Sequence, residues 1–376
     1  MKILILSAAT GGGHLRASHA IEKYITENST GNEVVVVDAL KSINAVLDKT
    51  VCEGYHFLAT KTPKVFGQLY RKSNEESLLS NLVTRFTSVF SQKLVPLMEE
   101  QNPDIVLSTH PFATEMISHL KKKGIVTVPL ICLMTDYGPH RAWIADHVDA
   151  YIVSTKDMIP EMNAMGVPTE KIYPFGIPVG DVFYSKGDKP ALLKKFGMDV
   201  GVPTILIMAG SFGVTNIMKI YKTLIELPID FQVIVITGKN QKLFEAFTPV
   251  VGQSPKKTKL VYFTDEVENY MHASDLIITK PGGLTVSEAL ACNIPLAVFD
   301  AIPGQEEDNA NFLLSHGMAV KLEKGVDPGK TILSLLEDNK RLEEMRSSCE
   351  SFDKSESGKN IFSLINELCA KNRKEA

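Results

Sequence analysis

One string in this sequence combines residue types suited to a phosphate-bearing ligand. Across Thr279-Lys280-Pro281-Gly282-Gly283-Leu284-Thr285-Val286-Ser287-Glu288 an apolar run ends, two glycines turn the chain, and a helical pattern begins. The first amides of a helix lack partners within it and carry the positive end of its dipole. Phosphate oxygens therefore suit Gly282, Gly283, Leu284 and Thr285. Glu288 has acceptors enough for both hydroxyls of a ribose. The spacing Thr285-x-x-Glu288 is equally that of a capping box, which explains the glutamate but not Pro-Gly-Gly. A second turn, Ile302-Pro303-Gly304, opens a polar helix start in which Gln305 and Glu306 set an amide beside a carboxylate, as sugar hydroxyls require. An acid-rich first helical turn is the plainer reading. Ser211, within Gly210-Ser211-Phe212-Gly213, offers a hydroxyl among amides for a diphosphate, although tight turns need glycine for their own sake. Phe263 and Thr264, ending another apolar run, are placed to meet a base. Together these loops suit a ligand with diphosphate, ribose and sugar parts.

A different loop holds a titratable group. Thr10-Gly11-Gly12-Gly13-His14 follows an apolar run and precedes a helical pattern over Arg16–Tyr24. A dinucleotide loop wants G-x-G-x-x-G, and here His14, Leu15 and Arg16 follow Gly13, so the third glycine is missing. Gly13 leaves room for a ligand, and His14 titrates near neutrality at the carboxyl end of a strand. That suits a general base acting on an alcohol; a histidine that merely caps the turn is the rival. His19, a turn later, reads as structural.

Elements must position these groups. Apolar runs at Lys2–Ser7, Glu33–Asp38, Ile105–Ser108, Val126–Met134 and Tyr151–Ser154 form one series. Thr204–Ala209, Gln232–Thr237, Lys259–Phe263, Leu276–Thr279 and Leu296–Asp300 form another. Continuous Val/Ile/Leu runs alternating with helices predict parallel strands covered on both faces, hence two doubly wound α/β domains. The expected division is 1–182, a linker at 183–200 around the polar stretch Ser185–Pro190, and 201–354, with a C-terminal helix over 355–372 returning to the first domain. After Gly317 the pattern reads as helical and charged.

Between Asp38 and Ile105 no strand is legible, and Ser77–Met98 reads as helix. Within Lys61–Lys93, Lys61, Lys64, Arg71, Lys72, Arg85 and Lys93 face only Glu75 and Glu76, with Phe66, Tyr70, Phe86 and Phe90 interleaved. Such an insertion suits an anionic membrane surface; a solvated helical pair with its aromatics inward accounts for it equally. The 376 residues carry a net charge of −4, so no basic field points to nucleic acid. Five cysteines without a CxxC pair read as reduced thiols of a cytoplasmic protein. No apolar run is long enough to span a bilayer, which leaves peripheral association with the inner face of the membrane.

The strings SAATGGGHLRASHA, STHPF, TDYGPHRAW, FGIPV, MAGSFG and above all TKPGGLTVSEALACNIPLAVFDAIPGQEEDNANFL resemble glycosyltransferase family 28 over nearly the whole chain. The likeness is nearest to the monogalactosyldiacylglycerol synthases and bacterial processive diacylglycerol glucosyltransferases. It extends more distantly to the transferase that adds N-acetylglucosamine to lipid-linked muramyl peptide. This resemblance implies a GT-B fold, two Rossmann-like domains facing a cleft, with the donor in the C-terminal one. Ser211, Gly282 and Gly283 would lie near the diphosphate, Phe263 near uracil, Glu288 at the ribose, and Gln305 and Glu306 at the hexose. His14 would be the catalytic base, with Asp136 orienting it, and His110, His140 and Trp143 would face the acceptor.

The implied reaction moves a hexose, glucose before galactose, from a UDP-sugar to the 3-hydroxyl of diacylglycerol or onto a glycosyl-diacylglycerol. It inverts the anomeric centre and needs neither cofactor nor metal, in keeping with the lack of an Asp-x-Asp motif. A UDP-sugar 2-epimerase of the same fold is one rival. A non-catalytic nucleotide-sugar sensor is another.

Overall fold

The computed structural model describes residues 1–8, 12–43, 62–74, 90–208 and 216–375. The chain forms two compact units. One comprises Met1–Gly180, Pro303–Asp308 and Lys354–Ala376, and the other Asp181–Ile302 and Asn309–Asp353.

In the first unit six strands pair in parallel: β1 (Lys2–Ser7), β2 (Glu33–Asp38), β3 (Ile105–Ser108), β4 (Leu130–Leu133), β5 (Ala150–Ile152) and β6 (Ile172–Tyr173). Their order is β2-β1-β3-β4-β5-β6. β3 and β4 are buried at every residue, which is why their sequences are continuously apolar rather than alternating. The helix Pro111–Lys122 covers one face through Ala113, Met116, Ile117 and Leu120, a spacing that keeps one stripe on the sheet. Met116, Ile117 and Leu120, so buried, are each worth about 1.5–3 kcal/mol relative to exposure. The C-terminal helix Ser357–Glu375 belongs to this unit and contacts the helix Gly13–Asn28. It buries Ile361, Leu364, Ile365 and Cys369, and Arg373 pairs with Asp104 at 3.1 Å.

The second unit holds β7 (Thr204–Met208), β8 (Gln232–Ile236), β9 (Thr258–Val261), β10 (Leu276–Thr279), β11 (Leu296–Val298) and β12 (Ala319–Lys321). They are also parallel, in the order β12-β11-β10-β7-β8-β9. Asp275 ties the foot of the sheet: one carboxylate oxygen accepts from the Thr204 amide at 2.9 Å, and the other pairs with Lys189 and Arg346.

Several expectations change. β6 and β12, with two and three residues, were not legible as strands, and β12 occupies chain read as helical. Val126 is buried, yet the strand begins only at Leu130. The region 183–200 is not an extended linker: Asp188 caps the helix Lys189–Lys195, and Leu193 and Phe196 are buried. The helix read over Arg16–Tyr24 runs over Gly13–Asn28. Much of the basic insertion, including Lys61, Glu75, Glu76, Arg85 and Phe86, lies outside the described residues; Pro63–Ser73 forms a helix.

Both sheets contain a point at which successive connections leave in opposite directions, β1/β3 in the first and β7/β10 in the second. Helices that follow adjacent strands there cover opposite faces, so a crevice opens beyond the carboxyl ends. The loops bearing His14 and His110 leave one crevice, and Lys280–Gly283 leaves the other.

Candidate active site

In the first unit, the chain passes from β1 into the helix Gly13–Asn28 through Gly12, whose φ of 75° suits glycine. Among the described residues no side chain caps this helix. A ladder of hydroxyls fixes the entry: Thr109 donates to Ser7 at 2.9 Å, Ser18 lies 3.0 Å from Thr109, and Ser18 donates to the His14 carbonyl at 2.9 Å. These residues come from the ends of β1 and β3 and the first turns of the helix, so His14 is positioned by its own backbone as well as its ring. Its Nδ1 lies 2.9 Å from Thr135 Oγ1, beyond β4. His110 stands edge-on at 4.9 Å between ring centres, and the Trp143 indole is 6.0 Å away.

Burial of the ring lowers the His14 pKa from 6.5 to about 4, opposed by the Thr109 carbonyl, which favours the protonated form. The residue as a whole keeps a partly exposed face. His110 is pushed well below its usual value, first by burial and then by the neighbouring charge on His14. At neutral pH both rings are uncharged. A proton taken up by one disfavours a proton on the other.

In the second unit, the helix Gly283–Ala291 starts at Gly282, just beyond β10, with no side-chain cap among the described residues. Thr285 falls at the third helical position and Glu288 at the sixth. The capping-box spacing is therefore out of register with the helix start, and Glu288 is not a capping partner for Thr285. Glu288 is only 3% exposed. Gly282 has φ −68° and ψ 136°, a conformation open to any residue, and a Cβ there would meet nothing within 4 Å among the described residues. Among the described residues nothing requires glycine at this position, whereas a ligand approaching the backbone would. Asn309, fully buried, donates to the Pro281 carbonyl at 2.9 Å and braces the turn. Phe263 is 45% exposed, with the Lys239 ammonium 4.7 Å from its ring centre. Thr264 caps the next turn through the Glu266 amide at 3.0 Å. Ser211 lies outside the described residues.

Residues 14–179 match the family model of monogalactosyldiacylglycerol (MGDG) synthase, and residues 204–361 match the glycosyltransferase family 28 C-terminal domain. Both parts of the chain thus resemble diacylglycerol glycosyltransferases and family 28 transferases. Among curated relatives, the processive diacylglycerol beta-glucosyltransferase of Bacillus pumilus (strain SAFR-032) is 27% identical, covering 97% of this chain and 94% of that one. Among solved structures, Acinetobacter baumannii MurG aligns with a TM-score of 0.67 at 15% identity, over 97% of this chain and 99% of the other. The UDP-GlcNAc 2-epimerase of Neisseria meningitidis, bound to UDP-GlcNAc, aligns with a TM-score of 0.64 at 15% identity, over 98% and 100%. These structural likenesses establish the GT-B fold and leave the chemistry to the site.

The structure redistributes several of the roles expected from sequence. The ring contact expected from Asp136 is made by Thr135, one residue earlier. Asp136 instead acts electrostatically on Asp308, whose pKa rises to about 6 through burial and then the charges of Asp136, Glu161 and Glu307. His140 has both ring nitrogens engaged. Nδ1 accepts from the Ala142 amide at 3.1 Å, so Nε2 carries the proton and donates to the Tyr70 carbonyl at 3.0 Å. It is a brace. His110 Nδ1 likewise accepts from the Phe112 amide at 3.3 Å and caps a helix, and Trp143 is a core side chain. Gln305 and Glu306 open the helix Gln305–Ser315 but group with the first unit, not with Glu288. Glu307 accepts from the Gly304 amide at 3.1 Å, so the acid-rich helix start has a capping use as well.

Residues the sequence did not single out include Thr109, Ser18, Asn309, Asn216 and Asp300. Asn216 donates to Asp300, which sits at φ 44° beyond β11. Of these, Thr109 and Asp300 had a signal in sequence, polarity just past an apolar run.

Proposed function

We propose that this chain is an inverting glycosyltransferase that moves glucose from UDP-glucose to the 3-hydroxyl of 1,2-diacylglycerol, with later rounds on a sugar hydroxyl of the product. The observation that carries the reading is the neutral His14 ring, held by Thr135 at the crevice beyond β1 and β3. In the tautomer that carries its proton on Nδ1, facing Thr135, the Nε2 lone pair would be the one that serves the acceptor. Such a weak base takes the alcohol's proton only as the oxygen bonds to the anomeric carbon, so proton transfer and displacement are concerted. The bond between that carbon and the diphosphate breaks on the opposite face, and UDP leaves with the electron pair. Amides at Gly283, Leu284 and Thr285 stabilise the departing charge in place of a metal, Glu288 binds ribose, Phe263 lies beside uracil, and Gln305 and Glu306 hold the hexose.

The name of the Bacillus relative supports the donor sugar and the lipid acceptor. Among the described residues no helix is long and apolar enough to cross a membrane. The helix Pro63–Ser73 exposes Val65 and Leu69 beside Lys64 and Lys72, which suits peripheral contact with an anionic leaflet.

Incubating the protein with radiolabelled UDP-glucose and diacylglycerol vesicles tests the proposal. Labelled glycolipid should form with wild type and be absent with His14→Ala, while UDP affinity is retained. A fully active His14→Ala variant sinks the base assignment. Conversion of a UDP-sugar to its 2-epimer without lipid product sinks the transfer.

A further inference from the structure

The turn that carries Gln305 and Glu306 is gripped at three points. A Cβ on Gly304, whose φ is 100°, would lie 2.5 Å from Tyr70 Cδ1. A Cβ on Gly67 would lie 2.5 Å from Pro303 Cβ, and one on Gly138 would lie 2.6 Å from Asp308 Cβ. Atoms do not approach so closely, so each glycine is a notch that admits its partner. The three contacts fall on residues 303, 304 and 308, at the beginning and end of one short segment.

Two of the grips come from a single helix. Phe66, Gly67 and Tyr70 form the inner stripe of Pro63–Ser73, whereas Val65 and Leu69 face outward, 48% and 38% exposed. The Tyr70 position is itself fixed. Its carbonyl accepts from His140 Nε2 at 3.0 Å, and its ring lies 4.1 Å from the imidazole, centre to centre. One turn on, Asn74 accepts from the Arg141 amide at 2.9 Å. Beyond the turn, Asn309 follows Glu306 by three residues on the same helix and bonds to Pro281. Glu306 is thus preceded by a gripped turn and followed by an anchored residue along its own helix.

We infer that Tyr70 and Gly67 are positioning residues for sugar recognition, acting through the turn Pro303–Asp308 on Gln305 and Glu306. The inference rests on the reading that these two residues hold the hexose. It makes the outward-facing helix Pro63–Ser73 a determinant of affinity for the sugar, not only of acceptor contact. UDP lacks the hexose and its affinity is independent of the grip.

Calorimetric titration of the full chain with UDP-glucose and, separately, with UDP tests this. Tyr70→Ala should weaken UDP-glucose about tenfold, the loss of one well-placed hydrogen bond to a charged group, and leave UDP unchanged. Tyr70→Phe keeps every ring atom that meets Gly304 and should restore the affinity. Gly67→Ala, which drives a methyl into Pro303, should repeat the Tyr70→Ala signature. Unaltered UDP-glucose affinity in both disruptive variants overturns the inference, as does an equal loss of UDP, which marks general damage. Glu306→Gln, titrated alongside, separates the two layers. If it too leaves UDP-glucose binding unchanged, the hexose assignment has failed; if it weakens binding while Tyr70→Ala does not, only the positioning role has.

Discussion

The His14 ring gains its properties from neighbours that are individually ordinary. Thr135 holds one nitrogen, Thr109 offers a carbonyl, and burial beside His110 keeps the ring neutral. Replacing Thr135 by Val removes a bond worth about 1–1.5 kcal/mol, so kcat should fall about tenfold with KM for UDP-glucose little changed. An equal effect on KM would place Thr135 in binding instead. The base must be neutral to act, so activity is present above its pKa and lost as pH falls through it. Because that value is about 4 in the free protein, the acid limb of kcat/KM should lie nearer 4 than 6.5. A limb centred at 6.5 would show that the ring is more solvated than the structure implies. The sequence made His14 visible through Gly-Gly-Gly-His, but not Thr135. Its hydroxyl lies 121 residues away, and a threonine before a flagged aspartate carries no signature.

At the scale of elements, the central strands were legible because burial on both faces leaves continuous apolar runs, as in β3, β4 and β10. β6 and β12 are too short for any such run. The stretch 183–200 reads as a linker because the apolar series pauses there and Ser185–Pro190 is polar; Pro190 closes that stretch. It stands just inside a helix start behind the cap Asp188, where proline costs little. Gly282 offers a test of what a helix start is for. Alanine there removes some freedom from the unfolded chain, a gain of about 0.4–1 kcal/mol, and is a poorer N-cap by a similar amount. The unliganded melting temperature of Gly282→Ala should therefore stay close to wild type, whereas UDP affinity should drop about tenfold as the methyl meets the diphosphate. Unchanged UDP affinity would remove the phosphate from this turn.

At the scale of the whole molecule, acid stability follows from the buried rings. His14, His110 and His140 all titrate below 6.5 when folded, so below pH 6.5 the unfolded chain binds more protons than the native one. Their contribution is fully present above 6.5 and is lost as pH falls. Each costs about 1.4 kcal/mol per pH unit once its unfolded form is protonated and its folded form is not. Asp308 works the other way: its folded pKa of about 6 exceeds the usual 3.8, so it favours the native state at low pH and ceases to do so above 6. Urea midpoints should thus fall between pH 6.5 and 5, less steeply than three histidines alone would give. A flat profile would mean that the rings stay hydrated in the native state.

That no described residue crowds Gly282 also bears on how variants of this protein would be ranked. A screen that scores heat resistance in plain buffer would see almost nothing wrong with Gly282→Ala and would pass it. Repeating the screen in saturating UDP would reverse that ranking, because a tenfold weaker site forfeits about 1.4 kcal/mol of ligand-linked protection. Selection for robustness without the nucleotide would be blind to the loss of donor binding at this residue.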